Sequence, residues 1–224
     1  MHKIFFGHDE RVGAGTTVFV QSAIKHACEP LSFSPITRKS VEGIQEGSNA
    51  FTFRRFLVPY IMQWEGLALF VDGSDMLCRA DISEVFKLWD YRSAVQVVKR
   101  ATYDTQHNRK YVGTAMEAYN DDYPRKQWAS VMLINCAHFA WRQITPKYVA
   151  SAKPLHLLQF GFLEDGLIGD LPAEWNWLAD EDGENPDAKL CHWTAGVPGM
   201  HYYKDSPMAA EWHSALAAAQ TVTG

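Results

Sequence analysis

The chain has no C-x-x-C pair. Its four cysteines, Cys28, Cys78, Cys136 and Cys191, stand far apart. That spacing argues against a metal knuckle and for reduced thiols in the core. No apolar run approaches the roughly 20 residues of a membrane span. The apolar stretch of the N-terminal "MHKIFFGHDE" is too short for a secretory leader, and no small-residue cleavage site follows it. The expectation is a cytoplasmic protein. There is no long basic run, and the net charge is −5, so bulk electrostatics give no support to nucleic-acid binding. Internal repeats, low-complexity linkers and a clear domain boundary are also missing. One domain over residues 1–224 is expected.

What is present is an ordinary globular composition with many rings. Hydrophobic residues make up 47%, enough over 224 residues for a sizeable core. Aromatics reach 13%, with eight tryptophans, which suits a tight core or a ring-stacking site. "KIFFG" (3–7) reads as a strand ending at glycine. The following segment reads as a helix capped by Asp9, with Val20, Ala23, Ile24 and Ala27 on one side. "PLSFSPI" (30–36) alternates like a second strand. Strand–helix–strand points to an α/β fold. A helix broken or kinked near Pro59 is expected over 49–64. Strands are expected over 67–71, 93–98, 128–136 and 188–194. Helices are expected near 82–89, from Pro146, and from 165 before a turn. Residues 101–127 are too polar and irregular for core and long for a plain loop, a combination that often marks function.

Two segments carry chemistry. "LALFVDGSDMLC" climbs through an apolar strand and stops at Asp72, Gly73, Ser74 and Asp75. In open α/β sheets, ligands gather at the carboxyl ends of strands. Two carboxylates in one turn repel unless a cation lies between them. Oxygen ligands suit Mg²⁺ or Mn²⁺, which also bridge phosphates. The plainer reading is an Asp–Gly turn whose carboxylates cap the next amides. In "AKLCHWTAGVPG" a strand ends at His192, and Gly196 follows. An imidazole there can be a third ligand. A glycine-rich turn lets backbone amides approach phosphate.

Six segments in order then resemble the glycosyltransferase family 8 type of nucleotide-sugar transferase, and within it a bacterial and phage-associated group. They are "IFFGHDERV", "SNAFTFRRFLVPY", "ALFVDGSDMLCRADI", "YPRKQWASVMLINC", "FLEDGLIGDLPAEWNWL" and "KLCHWTAGVP". The resemblance implies a GT-A fold: a mixed central sheet flanked by helices, with a Rossmann-like N-terminal half. It implies that Gly7, His8, Asp9 and Arg11 hold nucleobase and ribose. It carries the arginine before the D-x-D strand onto Arg55. It places the D-x-D motif at "DGSD", one residue longer than the pattern, with Asp75 as the second aspartate and Asp72 reaching round. Gly73 and Ser74 then lie against the donor, and Asp72, Asp75 and His192 hold the metal. The family's C-terminal lysine is missing from its place, leaving Lys204 or Lys126 as substitutes. Gly196 falls one place late in the His-x-x-Gly pattern.

The implied reaction is metal-dependent transfer of a hexose from a UDP-sugar to an acceptor such as a glycan, with retention and Mn²⁺ or Mg²⁺ as cofactor. Asp165, with Glu164 beside it, stands where the family's catalytic-face residue falls. The same segment also reads as an acidic helix start. Trp175 and Trp177 read as core before they read as a sugar platform. Competing readings are a nucleotidyltransferase, a nucleotide-sugar hydrolase, or a scaffold of the same fold without turnover. The absence of lysine from "GHDERVGAG" counts against the first.

Overall fold

The computed structural model describes residues 1–100 and 104–221. Its centre is a six-stranded sheet. β1 (His2–Gly7) runs parallel to β2 (Leu31–Ile36) on one side and to β3 (Leu67–Val71) on the other. β4 (Met76–Cys78), β5 (Val95–Val97), the hairpin strands β6 (Arg109–Lys110) and β7 (Ala118–Tyr119), and β8 (Val131–Asn135) follow. Then come β9 (Ile168–Asp170), β10 (Trp177–Leu178) and β11 (Leu190–His192). The main sheet has the order β2-β1-β3-β8-β5-β9, with β8 antiparallel to both neighbours. A second sheet, β10-β11-β4, stands beside it, and β6-β7 is a separate ribbon.

Residue alternation explains the core. Phe5, Phe70, Met132 and Ile134 fill one face of the main sheet. Ile4, Phe6, Leu69, Val71, Val131 and Leu133 fill the other. Because β3 is covered on both faces, "LALFV" reads as a continuous apolar run. Trp141 lies in the first cluster and Trp175 in the second, so Trp175 is core.

α1 (Gly13–His26) buries Gly15, Val18, Phe19, Ser22 and Ala23. The expected stripe was wrong by rotation: Ile24 is 52% exposed and Val20 only partly covered. Residues 49–64 are turns and a 3-10 stretch leading to α2 (Val58–Ile61), not one kinked helix. Pro59 stands in the first turn of α2, where a missing N–H costs nothing. α3 (Pro146–Ser151) starts as expected, with Thr145 accepting from Tyr148 N–H. α4 (Pro154–Leu158) and α5 (Ala179–Asp182) are short, and α6 (Ala209–Gln220) lies along α1. Residues 165–178 are not a helix. One 3-10 turn leads into β9, which pairs with β5. No helix among the described residues is long and apolar enough to cross a membrane.

Candidate metal and ligand site

The chain leaves β1 for β2 on one side and returns through β3 on the other. That reversal opens a crevice at the strands' carboxyl ends. β3 ends there in Asp72. Gly73 takes a φ of +70°, open to glycine at little cost, and its hydrogen faces Phe6 at a distance too short for a Cβ. Ser74 N–H donates to Asp72 O at 2.8 Å and Met76 N–H to Gly73 O at 3.1 Å. The turn thus doubles back into β4 and brings Asp75 beside Asp72. α1 supports it from behind: a Cβ on Gly15 would stand 1.8 Å from Ser74 O. The extra residue in "DGSD" is therefore a tight turn.

His192 arrives through strand register. β11 runs antiparallel to β4 with His192 opposite Met76, and Trp193 N–H donates to Asp75 O at 3.0 Å. The imidazole Nε2 lies 3.5 Å from Asp75 Oδ1 and 4.0 Å from Asp72 Oδ2. One ligand atom from each residue falls within 4.8 Å of the others, the one such group of three among the described residues.

The protonation of His192 is set by its far side. Nδ1 lies 2.9 Å from Asn176 Oδ1, and Asn176 Nδ2 donates to Gln127 O at 3.3 Å. With the amide oriented by Gln127, Nδ1 donates to Asn176, and Nε2 is the ring nitrogen turned toward the two carboxylates. Second-sphere partners orient metal-binding histidines in this way. Asp72 Oδ1 and Asp75 Oδ1 are buried without a hydrogen bond. Arg55 Nη1 lies 2.6 Å from Asp72 Oδ1, so that oxygen faces the guanidinium and Oδ2 is the one turned toward His192.

Electrostatics ask for a cation. Burial pushes the Asp72 carboxyl up to about 6; Arg55 pulls it down and Asp75 adds to the rise. Burial disfavours a charged His192, yet Asp75 and Asp72 outweigh burial and raise its affinity for a proton. Two buried acceptor oxygens and one imidazole nitrogen, all facing inward, form a donor set that fits Mn²⁺ or Mg²⁺.

Arg55 is itself fixed. Nε donates to Thr52 O and Nη1 to Ala129 O, both at 2.9 Å. The guanidinium sits 5.3 Å from the ring centres of both Phe51 and Phe70.

These groups line a cavity of about 320 Å³. Its outer wall is the polar segment that looked functional in the sequence. Lys110, Tyr111, Tyr119, Asn120, Tyr123 and Lys126 all face it; Ala101, Thr102 and Tyr103 lie outside the described residues. The opposite wall is the 47–53 loop, with Ser48 and Asn49. A larger cavity of about 450 Å³ lies between α1 and α6, but it shares no lining residue with this one.

Of the sequence-predicted site residues, Asp72, Asp75, His192 and Arg55 come together here. Lys126, one of the two substitutes for the missing lysine, lines it as well, and the others do not. Gly7 faces the Phe51 ring and Gly196 the Tyr203 ring, each too close for a Cβ. Their lack of side chain serves packing. His8 Nδ1 is 2.9 Å from Thr16 Oγ1. Gly73 and Ser74 shape the turn. Asp9, buried, is fully engaged: Arg11 Nε, Nη2 and N–H donate to it at 2.8, 2.6 and 3.1 Å, and Ala50 N–H at 3.0 Å. Asp9 and Arg11 thus brace the 47–53 loop and leave no carboxylate lone pair aimed at a ribose. Asp165 and Glu164 do not line the cavity either: they precede β9, which pairs with β5 at the sheet edge, and the Asp165 side chain is 80% exposed and ion-paired to Arg125 at 2.6 Å. Lys204 is exposed beside Asp205, whereas Lys126 is buried in the wall and paired to Asp122 at 3.0 Å. Asn176 and Lys110 were missed. The only signal for Asn176 was its place between two tryptophans.

No protein-family model matches the sequence. Among solved structures, the chain is similar to the bifunctional glycosyltransferase WbbM, with a TM-score of 0.67 at 12% identity. The match covers 96% of this chain and 49% of WbbM, so the chain spans about half of that protein. It is also similar to an active-site mutant of LgtC, with a TM-score of 0.65 at 13% identity over 99% of this chain and 97% of LgtC. The fold is thus the glycosyltransferase GT-A type. In sequence, the chain is 32% identical to protein CDI of Arabidopsis thaliana over 223 residues, 94% of this chain and 84% of that protein. The chain belongs to the family of protein CDI.

Proposed function

We propose that the protein is a metal-dependent glycosyltransferase. It moves a hexosyl group from a nucleotide sugar, a UDP-hexose, to an acceptor hydroxyl, with retention of configuration and Mn²⁺ or Mg²⁺ as the metal. One observation carries this reading. At the carboxyl end of β3, a carboxylate oxygen each from Asp72 and Asp75 and Nε2 of His192 converge on a cavity that also holds Arg55, Lys110 and Lys126. Carboxylates and cations side by side fit a ligand that arrives with its own metal and its own phosphates. A divalent cation meets the acids, and a diphosphate meets the metal and the bases. The galactosyltransferase LgtC, which shares the fold, has been solved with donor and acceptor sugar analogs. Retention is carried over from the family 8 resemblance.

Asp72, Asp75 and His192 would hold the ion, and Asn176 and Gln127 would keep Nε2 pointed at it. Bound there, the ion supplies Lewis-acid stabilisation of a departing nucleoside diphosphate. Arg55 holds Asp72 ionised against the cost of its burial.

The test is nucleotide release from a panel of UDP-, GDP- and dTDP-sugars with and without Mn²⁺. The expected result is Mn²⁺-dependent release from a UDP-hexose, at least about tenfold above the other donors, a difference on the scale of specific polar contacts. A protein that releases no nucleotide and binds none in a metal-coupled way would contradict the reading.

A further inference from the structure

We propose that Lys110, at the tip of β6, is the cation that receives the ligand's phosphate anion. The inference rests on the functional reading above and goes further, because that reading leaves the anion's partner open. Three observations lead to it.

The first is a charge without a carboxylate in contact. Lys110 lines the cavity, and among the described residues no carboxylate lies within ion-pairing distance of its Nζ. Its described contacts are a 3.2 Å hydrogen bond to the neutral Ser48 Oγ and the Tyr111 ring, 5.7 Å away. The other cations of the cavity are engaged, Arg55 with Asp72 and Lys126 with Asp122. This half-buried ammonium has only a hydroxyl and a ring as close partners, which leaves it donors for an incoming anion. Burial, with Lys126 and Arg55 nearby, pulls its proton affinity below the usual lysine range, although Asp75 and Asp72 across the cavity oppose the shift.

The second is position. The bond to Ser48 crosses the cavity from the hairpin wall to the 47–53 loop. An anion seated on the Asp72–Asp75–His192 side would enter beneath this bridge and exchange with Ser48 as the ammonium's partner. Such an exchange replaces a neutral hydrogen bond with a charge-assisted one, which is shorter and about twice as strong.

The third is how firmly the arm is held. Tyr111 N–H donates to Ala195 O at 2.6 Å, and Val112 N–H to Tyr203 Oη at 3.0 Å. Gly113, at a φ of +74°, lies against the Tyr202 ring. The hairpin is thus fastened to the loop that follows His192, so metal ligand and ammonium share one support. Lys204, further along that loop, stays outside the cavity.

The experiment titrates inorganic pyrophosphate, UDP and uridine, each with Mn²⁺, into four proteins: wild type, Lys110→Met, Lys110→Arg and Lys204→Met. Lys110→Met should weaken pyrophosphate and UDP at least about tenfold, the scale of a lost charged hydrogen bond, and leave uridine unchanged. Lys110→Arg should restore most of the affinity, and Lys204→Met should behave as wild type. An unchanged melting temperature in Lys110→Met separates lost contact from lost fold. If Lys110→Met binds pyrophosphate as tightly as wild type, or if Lys204→Met carries the loss, the inference is wrong. If wild type binds pyrophosphate through Lys110 but no nucleoside diphosphate, the inference stands and the functional reading fails. If wild type binds neither, both fail.

Discussion

The floor of the cavity and its outer wall are built by opposite means. The floor is strand ends. Asp72 closes β3, Asp75 opens β4, and His192 closes β11, each fixed by ladder hydrogen bonds and buried beneath the core. The wall is a two-residue ribbon and turns, fastened by single hydrogen bonds and by backbone at positive φ, at Tyr111, Arg125 and Gln127. The floor has the rigidity to hold a small ion at fixed distances. The wall has the reach to meet a larger ligand. If this division is right, floor variants change metal affinity, and wall variants change ligand affinity while sparing the metal.

The largest effect should come from the floor. Asp75→Ala removes one of two inward carboxylates and should lower Mn²⁺ affinity at least about a hundredfold, beyond the range seen for outer-sphere changes. Metal-coupled nucleotide binding should vanish with it. Calorimetry on Asp75→Ala that still shows tight Mn²⁺ would dissolve the distinction between floor and wall.

Asn176→Leu comes next. It leaves all three ligands in place and removes only the partner of His192 Nδ1. Metal affinity should fall about tenfold to a hundredfold. Asn176→Asp, which still accepts from Nδ1, should stay near wild type. Equal losses in both would mean that Asn176 acts only through packing.

Asp9 tests the support of the far wall. Burial alone would raise its carboxyl, but hydrogen bonds from Arg11 and Ala50 hold it at about 2, below the ordinary value of 3.8. The folded value is the lower one. Asp9 therefore stabilises the fold above about pH 4, and this contribution is lost as pH falls through about 2. Its size is about 2 kcal/mol. Asp9→Asn should flatten this acid limb in denaturant melts at several pH values and leave Mn²⁺ affinity at neutral pH unchanged. An undiminished acid limb would show that other carboxylates dominate there.

The smallest effect belongs to the fastening of the hairpin. Tyr203→Phe removes the acceptor for Val112 N–H. It should cost about 1 kcal/mol locally, seen as faster hydrogen exchange over 111–113, with Mn²⁺ affinity within about twofold. A large drop in metal affinity would mean that wall and floor act as one unit.

The same division explains what could be read from the sequence. β1, β2, β3 and β8 were legible because alternation or an unbroken apolar run reports burial directly. Asp72, Asp75 and His192 were legible as a group because each stands at a strand end on the same sheet edge, although the Asp–Gly turn of the plainer reading is present as well. Arg55 came through the family resemblance. The 49–64 segment misled because an apolar period of three to four fits turns and 3-10 stretches as well as a helix. Residues 165–178 misled because the pairing of β9 with β5 is non-local. Asp9 was placed in the right loop, but its pairing with Arg11 depends on how the chain folds back at the end of β1. Lys110 was hidden in a polar segment in which every residue looked equally exposed. Only the fastening of Tyr111 to Ala195 and of Val112 to Tyr203 turns that lysine toward the cavity.

The most direct measurement is pulsed electron paramagnetic resonance on the protein titrated with Mn²⁺. The account predicts one bound Mn²⁺ per chain, with coupling to a single imidazole nitrogen. That coupling should disappear in His192→Ala, and UDP should tighten the binding. No stoichiometric Mn²⁺, or a bound Mn²⁺ whose nitrogen coupling is absent or survives the loss of His192, would contradict the assignment of Asp72, Asp75 and His192 as the metal site.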